Sequence, residues 1–326
     1  MKDKMEKILT HELQQIDGVA RALLVLDNFE WIKQQAAAVG VNIIPLKGID
    51  LLQTVYSEKL DRPVRDIDML CRSEEDCRRL VERLCQEDYR LAFQFSLRPE
   101  ALAAKHKVAL LSCNPNKVNI DIHIVFVTKK FFSQTIGTFN ADAIQRCVED
   151  RMEATDRWLF LAQHAAFHAF SDGKWLRDLY LLLDSFTPEQ QATLRDKACT
   201  YNFRRVTLAA INRIFWHDEE RRKEQLSAFD LSRSEKRFLR FFNSFRRPFD
   251  RRPFDRLITS YWEFTFIDRR SDRFRMWLQL MFPSPGVLTN IYRIRKPIAR
   301  LFYYPLNFFV SGFTSVLFGI TYLLKS

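Results

Sequence analysis

Glycine is scarce, at 8 in 326 residues, while 47% of the chain is hydrophobic. That balance excludes disorder over most of the length and favours a globular, largely helical protein. Paired cysteines are missing too. Cys71, Cys77, Cys85, Cys113, Cys147 and Cys199 form no CxxC spacing, and a chain long enough for roughly two domains needs no disulfide scaffold. A reducing cytoplasm fits best. The stretch MKDKMEKILTHELQQ has no uninterrupted apolar core and reads as an amphipathic helix rather than an export signal. From Leu301 to Leu324 no residue is charged. Since roughly 20 apolar residues can span a bilayer, this segment is a candidate membrane anchor. Pro305, Gly312 and Gly319 interrupt a single straight helix there, so a buried helical hairpin is the alternative.

Net charge is +11 and unevenly held, with Lys and Arg outnumbering Asp and Glu about two to one between Arg195 and Arg300. Such a surface favours phosphates, nucleic acid or an anionic bilayer without choosing among them. The tandem RRPFD pentads over residues 246–255 set two prolines five apart, which marks a basic, aromatic linker rather than a helix.

The apolar spacing from Met5 to Val39 predicts one or two helices. VNIIPL then reads as a strand ending at Lys47–Gly48, followed by a helix through IDLLQTVY and a charged loop, SEKLDRPVR. DIDMLC reads as the next strand, and SEEDCRRLVERLCQE as a helix with Ser73 as its N-cap. KVALLSC and KVNIDIHIVFV predict two more strands joined by NPN. Beyond about Asp142, four helical segments follow, ending in FRRVTLAAINRIFW.

Asp66 and Asp68 lie two apart in an otherwise apolar strand and so share one face. Two carboxylates on one face repel, unless a cation lies between them or water bathes them. On that ground, removing Asp68 is expected to relieve repulsion in the metal-free protein. In KVNIDIHIVFV, Val118, Ile120, Ile122 and Ile124 take one face and Asn119, Asp121 and His123 the other. If the two strands are neighbours, three carboxylates converge beside a glycine turn, offering oxygen ligands to magnesium and a backbone close enough to meet phosphate. Lys47 is placed to meet a phosphate as a point charge. Arg62 and Arg65 either meet a triphosphate or belong to a solvated loop. His123 either touches substrate or metal or is a satisfied strand histidine. His164 and His168 have the i,i+4 spacing of a zinc pair, but no third ligand is near in sequence, and a packed helix is the simpler account. Asp178, just after Trp175, could meet one of them across a helix pair, a structural contact.

PLKGIDLLQTVYSEKLDRPVRDIDML followed by NIDIHIVF resembles the uncharacterised nucleotidyltransferase family of the DNA polymerase β-type superfamily, closely from Ile43 to Val127 and more loosely through HAAFH and WLRDLYLLL. The resemblance implies an α+β fold: a polymerase β-like core of mixed sheet and helices, followed by a mostly α-helical domain. It implies Gly48 in the turn that cradles nucleotide phosphates, Asp66, Asp68 and Asp121 as catalytic metal ligands, and Asp121 at or near the general base. It further implies Mg2+, with two ions expected and Mn2+ as a substitute. The superfamily's usual glycine–serine is Lys47–Gly48 here, so the serine's bond to phosphate is missing and Lys47 is expected to replace it.

Five segments are expected: N-terminal helices packing on the core over 1–40, the nucleotidyltransferase core over 41–140, a helical domain over 141–245, a basic Arg/Phe-rich region over 246–300, and the apolar segment over 301–326. The expected function is magnesium-dependent transfer of a nucleoside monophosphate from a nucleoside triphosphate, such as ATP, to an acceptor the sequence does not identify. The expected place is the cytoplasmic face of an anionic membrane. Two rivals stand beside it: a non-catalytic nucleotide-binding or scaffold protein of a membrane-associated surface-polysaccharide assembly, and an RNA-modifying transferase gripping nucleic acid with residues 233–275.

Overall fold

A computed structural model describes residues 2–56, 60–93, 97, 106–126, 135–244, 265–282 and 303–304. The chain divides into two units, Met1–Phe126 with Ile144–Glu153, and Val127–Ala143 with Ala154–Ser326.

The first unit is mixed α/β. Helix α1 (Lys2–Ala38) leads into β1 (Ile43–Leu46), α2 (Lys47–Thr54), β2 (Asp66–Cys71), α3 (Glu74–Cys85), β3 (Tyr89–Leu91), β4 (Lys107–Ser112) and β5 (Asn119–His123). The five strands form one sheet in the order β1-β2-β5-β4-β3. Only the β2–β5 pair is parallel; the other pairs are antiparallel. Strand β2 is buried from Ile67 to Cys71, as a central strand covered on both faces must be. Ser73 caps α3 as expected, its hydroxyl accepting from the Asp76 N–H at 3.0 Å, and acidic residues fill the first turn. In β5, Ile120 and Ile122 are buried with Val118 beside them, but the strand ends at His123, the expected Ile124 lies past it and is half-buried, and His123 on the opposite face is buried as well.

The second unit is helical. It contains α4 (Thr135–Gln145), which runs across the boundary between the units, then α5 (Ala154–Phe167), α6 (Gly173–Asp184), α7 (Pro188–Thr200), α8 (Arg204–Ile214), α9 (Glu219–Ser227), α10 (Arg233–Asn243) and α11 (Arg270–Met281). Helix α7 starts at a full capping box, Thr187 with Gln190, and Pro188. Trp158 is fully buried, its indole N–H donating to the Leu179 carbonyl at 3.0 Å. Phe203, Phe238, Phe242 and Phe266 are fully or nearly fully buried in the same core. Asp268 holds the start of α8 by accepting from the Arg204 and Arg205 backbone N–H groups at 2.8 and 3.0 Å.

No helix among the described residues is long and apolar enough to cross a membrane. The RRPFD repeat and nearly all of 301–324 lie outside the described residues.

Candidate active site

The site is built by strand register. Antiparallel pairing sets Leu46 opposite Asp68, and parallel pairing sets Asp68 beside Asp121, Asp66 beside Asn119 and Leu70 beside His123. Paired residues face the same way, so Asp66, Asp68, Asp121 and His123 share one face of the sheet. Ligand atoms of Asp68, Asp121 and His123 all lie within 4.8 Å of one another. Among the described residues this is the one cluster of three or more side chains able to hold a metal ion. Its two carboxylates suit Mg2+ or Mn2+, and a His123 ring nitrogen not engaged with Asp68 would favour Mn2+. The donor set fits one divalent cation.

Two lysines already supply positive charge to the carboxylates. Lys47 Nζ donates to Asp68 Oδ1 at 2.6 Å and Lys107 Nζ to Asp121 Oδ2 at 2.6 Å. His123 Nε2 also lies 3.0 Å from Asp68 Oδ1. A carboxylate oxygen can only accept, so the ring carries its proton on Nε2. Burial pushes the Asp68 carboxyl up, but Lys47 and His123 outweigh it and hold the group well below the usual carboxylate range. Asp66 goes the other way: burial raises it first, and the charges of Asp68 and Asp121 raise it further. The repulsion expected between the two aspartates is therefore carried by Asp66. The expectation that removing Asp68 relieves strain is overturned, because Asp68 is the paired member. His123 is buried, and burial together with the nearby Lys47 charge holds its imidazole below the ordinary histidine value.

The turn between β1 and α2 has a specific geometry. Lys47, not the glycine after it, takes the left-handed backbone conformation, with φ of 50°, an uncommon state for a residue with a Cβ. Gly48 is required by space instead. A Cβ there would lie 2.8 Å from Arg62 Nη1 and 2.9 Å from Val64 Cγ1. Leu46 provides no side-chain cap to α2, leaving first-turn N–H groups of the kind that bind anions. Arg62 is buried rather than solvated. Arg65 is exposed, and its carbonyl accepts from Arg21 Nη2 at 3.2 Å.

Sequence reading missed Lys107. Alternation alone puts it on the face of Asp121, but nothing in KVALLSC distinguishes it from a surface lysine. In the second unit, His164 and His168 pack edge to face at 4.8 Å and both meet Trp175, at 5.4 and 4.8 Å. That aromatic cluster is a packing arrangement.

A mixed sheet whose adjacent parallel strands bring an Asp pair and a third carboxylate to one face is the arrangement expected of a nucleotidyltransferase. The family model of the uncharacterised nucleotidyltransferases matches residues 2–214. The chain belongs to this family, within the polymerase β-like superfamily, and its metal-ligating cluster lies inside the matched region. No curated protein matches the chain.

Proposed function

We propose that the site transfers a nucleoside monophosphate from a nucleoside triphosphate to a hydroxyl-bearing acceptor. The acceptor oxygen forms a bond to the α-phosphorus, the bond from that phosphorus to the bridging oxygen breaks, and pyrophosphate leaves. Asp68 and Asp121 would hold the divalent cation, and Asp66, on the same face, would help hold a second. When bound, such a cation supplies Lewis acidity and offsets charge developing on the phosphoryl oxygens. Asp121 accepts the acceptor proton. His123 orients Asp68 through Nε2–H. Lys47 and the uncapped first turn of α2 bind the triphosphate, with Gly48 keeping that turn close-packed and Arg62 and Arg65 adding positive charge on the approach.

The observation that carries this reading is the pairing of Asp68 with Asp121 in adjacent strands, each carboxylate already meeting a lysine ammonium 2.6 Å away. Two cation-seeking groups stand side by side, which a purely structural sheet does not need. Lysate supplies the unidentified acceptor for the test: purified protein is incubated with α-labelled ATP, Mg2+ and lysate, with Asp121→Asn protein in parallel. The expected result is a labelled product and pyrophosphate that need both Mg2+ and Asp121. Equal labelling by the variant would overturn the assignment.

A membrane-surface location belongs to the same proposal and rests on sequence: Arg293, Arg295, Lys296 and Arg300 precede an uncharged stretch. Each basic residue near an anionic surface adds about 1 kcal/mol of attraction. Truncation after Arg300 should reduce co-sedimentation with anionic vesicles to a weak, salt-sensitive remainder held by these basic residues, and unchanged co-sedimentation would remove the anchor role of 301–324.

A further inference from the structure

Helix α10 presents two unlike faces. Glu235, Phe238, Leu239, Phe241 and Phe242 are buried, whereas Arg233, Lys236, Arg237 and Arg240 are all exposed. Offsets of three, four and seven residues line these four cations along one side of a helix. The row is about 10 Å long.

It is held from beneath and nothing neutralises it. Ser232 and Glu235 close a capping box at its start, and the Phe238 and Phe242 rings pack on Phe266 at 5.8 and 6.0 Å. No hydrogen bond or ion pair engages any of the four cations among the described residues. Glu235, the one acid in α10, is buried, pairs with Arg204 and accepts from the Ser232 N–H at 2.8 Å. Asp230, just before the helix, is exposed and forms no ion pair with the row. Such a row gains from a surface of opposite charge.

The rings of α10 decide between two such surfaces. Proteins that grip single-stranded nucleic acid set aromatic rings among their cations for bases to stack on. Here Phe238, Phe241 and Phe242 are buried in the core, and no ring lies among the cations of this helix. The exposed Phe274 belongs to α11. A cationic face without rings reads charge alone, which is what lipid headgroups present.

We propose that this face of α10 docks on an anionic lipid bilayer. A helix lying along the surface keeps all four side chains within the roughly 8–10 Å over which headgroup charge acts, and guanidinium groups suit phosphate oxygens. The assignment rests on the membrane-surface reading above and adds the face by which the helical unit meets the lipid. It does not depend on residues 301–324.

The test is co-sedimentation of the full chain with vesicles of phosphatidylcholine and phosphatidylserine, with phosphatidylcholine vesicles in parallel. Binding to the mixed vesicles should weaken roughly tenfold in Arg237→Gln/Arg240→Gln and in Arg233→Gln/Lys236→Gln. All four positions are exposed, so melting temperatures should match wild type. Arg78→Gln/Arg90→Gln removes the same charge from the first unit and should bind as wild type does. Equal losses in all three double variants would mean that net charge alone drives binding, which overturns the docking face. Wild-type binding in both α10 variants, with loss only on truncation after Arg300, overturns the docking face and leaves the membrane-surface reading standing. No binding of the wild-type chain to the mixed vesicles overturns both. Binding to an oligonucleotide at least tenfold tighter than to vesicles at equal phosphate concentration, lost in the α10 variants, reassigns the row to nucleic acid and overturns the lipid assignment.

Discussion

Lys47 Nζ lies 2.6 Å from Asp68 Oδ1 although the two residues are 21 apart in sequence. The contact exists because β1 and β2 pair with Leu46 opposite Asp68, and the chain turns sharply just after Leu46. It divides two aspartates that look equivalent in the sequence. Asp68 is a stabilised anion, whereas Asp66 bears the repulsion of its neighbours.

Unequal stability effects should follow for the two neutral variants. In EDTA at neutral pH, Asp68→Asn leaves the mostly buried Lys47 without its carboxylate. It should lose about 1–3 kcal/mol, somewhat less than the ~3–5 kcal/mol of a fully buried pair. Asp66→Asn removes a repelled carboxylate that is exposed and so largely screened by water, and should leave stability unchanged or slightly raised. Urea denaturation of the two proteins checks this, and equal midpoints would remove the asymmetry. Both variants should lose transfer activity.

Lys47 provides a second comparison. Alanine and glycine both delete the ammonium, but only glycine adopts positive φ without steric cost. Lys47→Gly should therefore be more stable than Lys47→Ala by about 1 kcal/mol, despite glycine's greater freedom in the unfolded chain. The reverse order in thermal denaturation would mean that the left-handed turn is not maintained in solution.

Gly48 tests close approach rather than backbone freedom. Its absent Cβ leaves room for Arg62 and the branched, buried Val64. Gly48→Ala should cost about 1–3 kcal/mol through overpacking. The guanidinium can swing aside, but Val64 cannot move without its strand approach shifting. Adding Val64→Ala should thus recover part of the loss, giving a double variant more stable than the sum of the singles predicts. Simple additivity would place the cost elsewhere.

Much of this arrangement is legible one segment at a time. DIDMLC is a strand with the expected ends because its apolar residues are continuous and Ser73 begins a capped helix directly after it. Asp121 falls on the polar face of β5 because the alternation from Val118 leaves no other choice. What is not legible depends on pairing between distant segments. Strand β3 is three residues long with a single buried side chain, too short to show a period. The Lys107 contact with Asp121 and the His123 contact with Asp68 depend on register across three strands. The left-handed state of Lys47 could not be expected beside a glycine, the residue that ordinarily takes it.

Acid should destabilise the metal-free first unit in two stages. The folded-state value of His123 is lowered, so the unfolded chain binds the proton more readily, and the stability this supplies is present above about pH 6.5 and lost as pH falls below it. Asp68 is also lowered, so its contribution persists until pH drops through the ordinary carboxylate value of about 3.9 and below. Urea midpoints in EDTA should fall between pH 7.5 and 5.5, with a slope from this group of at most about 1.4 kcal/mol per pH unit. His123→Gln should flatten that stretch while leaving the acid limb below pH 4. A midpoint that rises on acidification in wild type but not in the variant would reverse the sign assigned to His123.

Lys107 separates competition with metal from support of it. Its ammonium lies 2.6 Å from Asp121 Oδ2, and its side chain is 43% exposed. The pair is worth little to the fold, under about 1 kcal/mol for a contact so open to water. It nevertheless engages a carboxylate that a divalent cation would need, so cation binding must break or weaken it. Lys107→Met should therefore bind Mn2+ several-fold more tightly by calorimetry, with a urea midpoint in EDTA close to wild type. Asp121→Asn should abolish that binding in either background, which ties the gain to this carboxylate. If Mn2+ binding instead weakens in Lys107→Met while the fold is unchanged, the ammonium positions Asp121 for the cation rather than competing with it, and the lysine belongs to the working site.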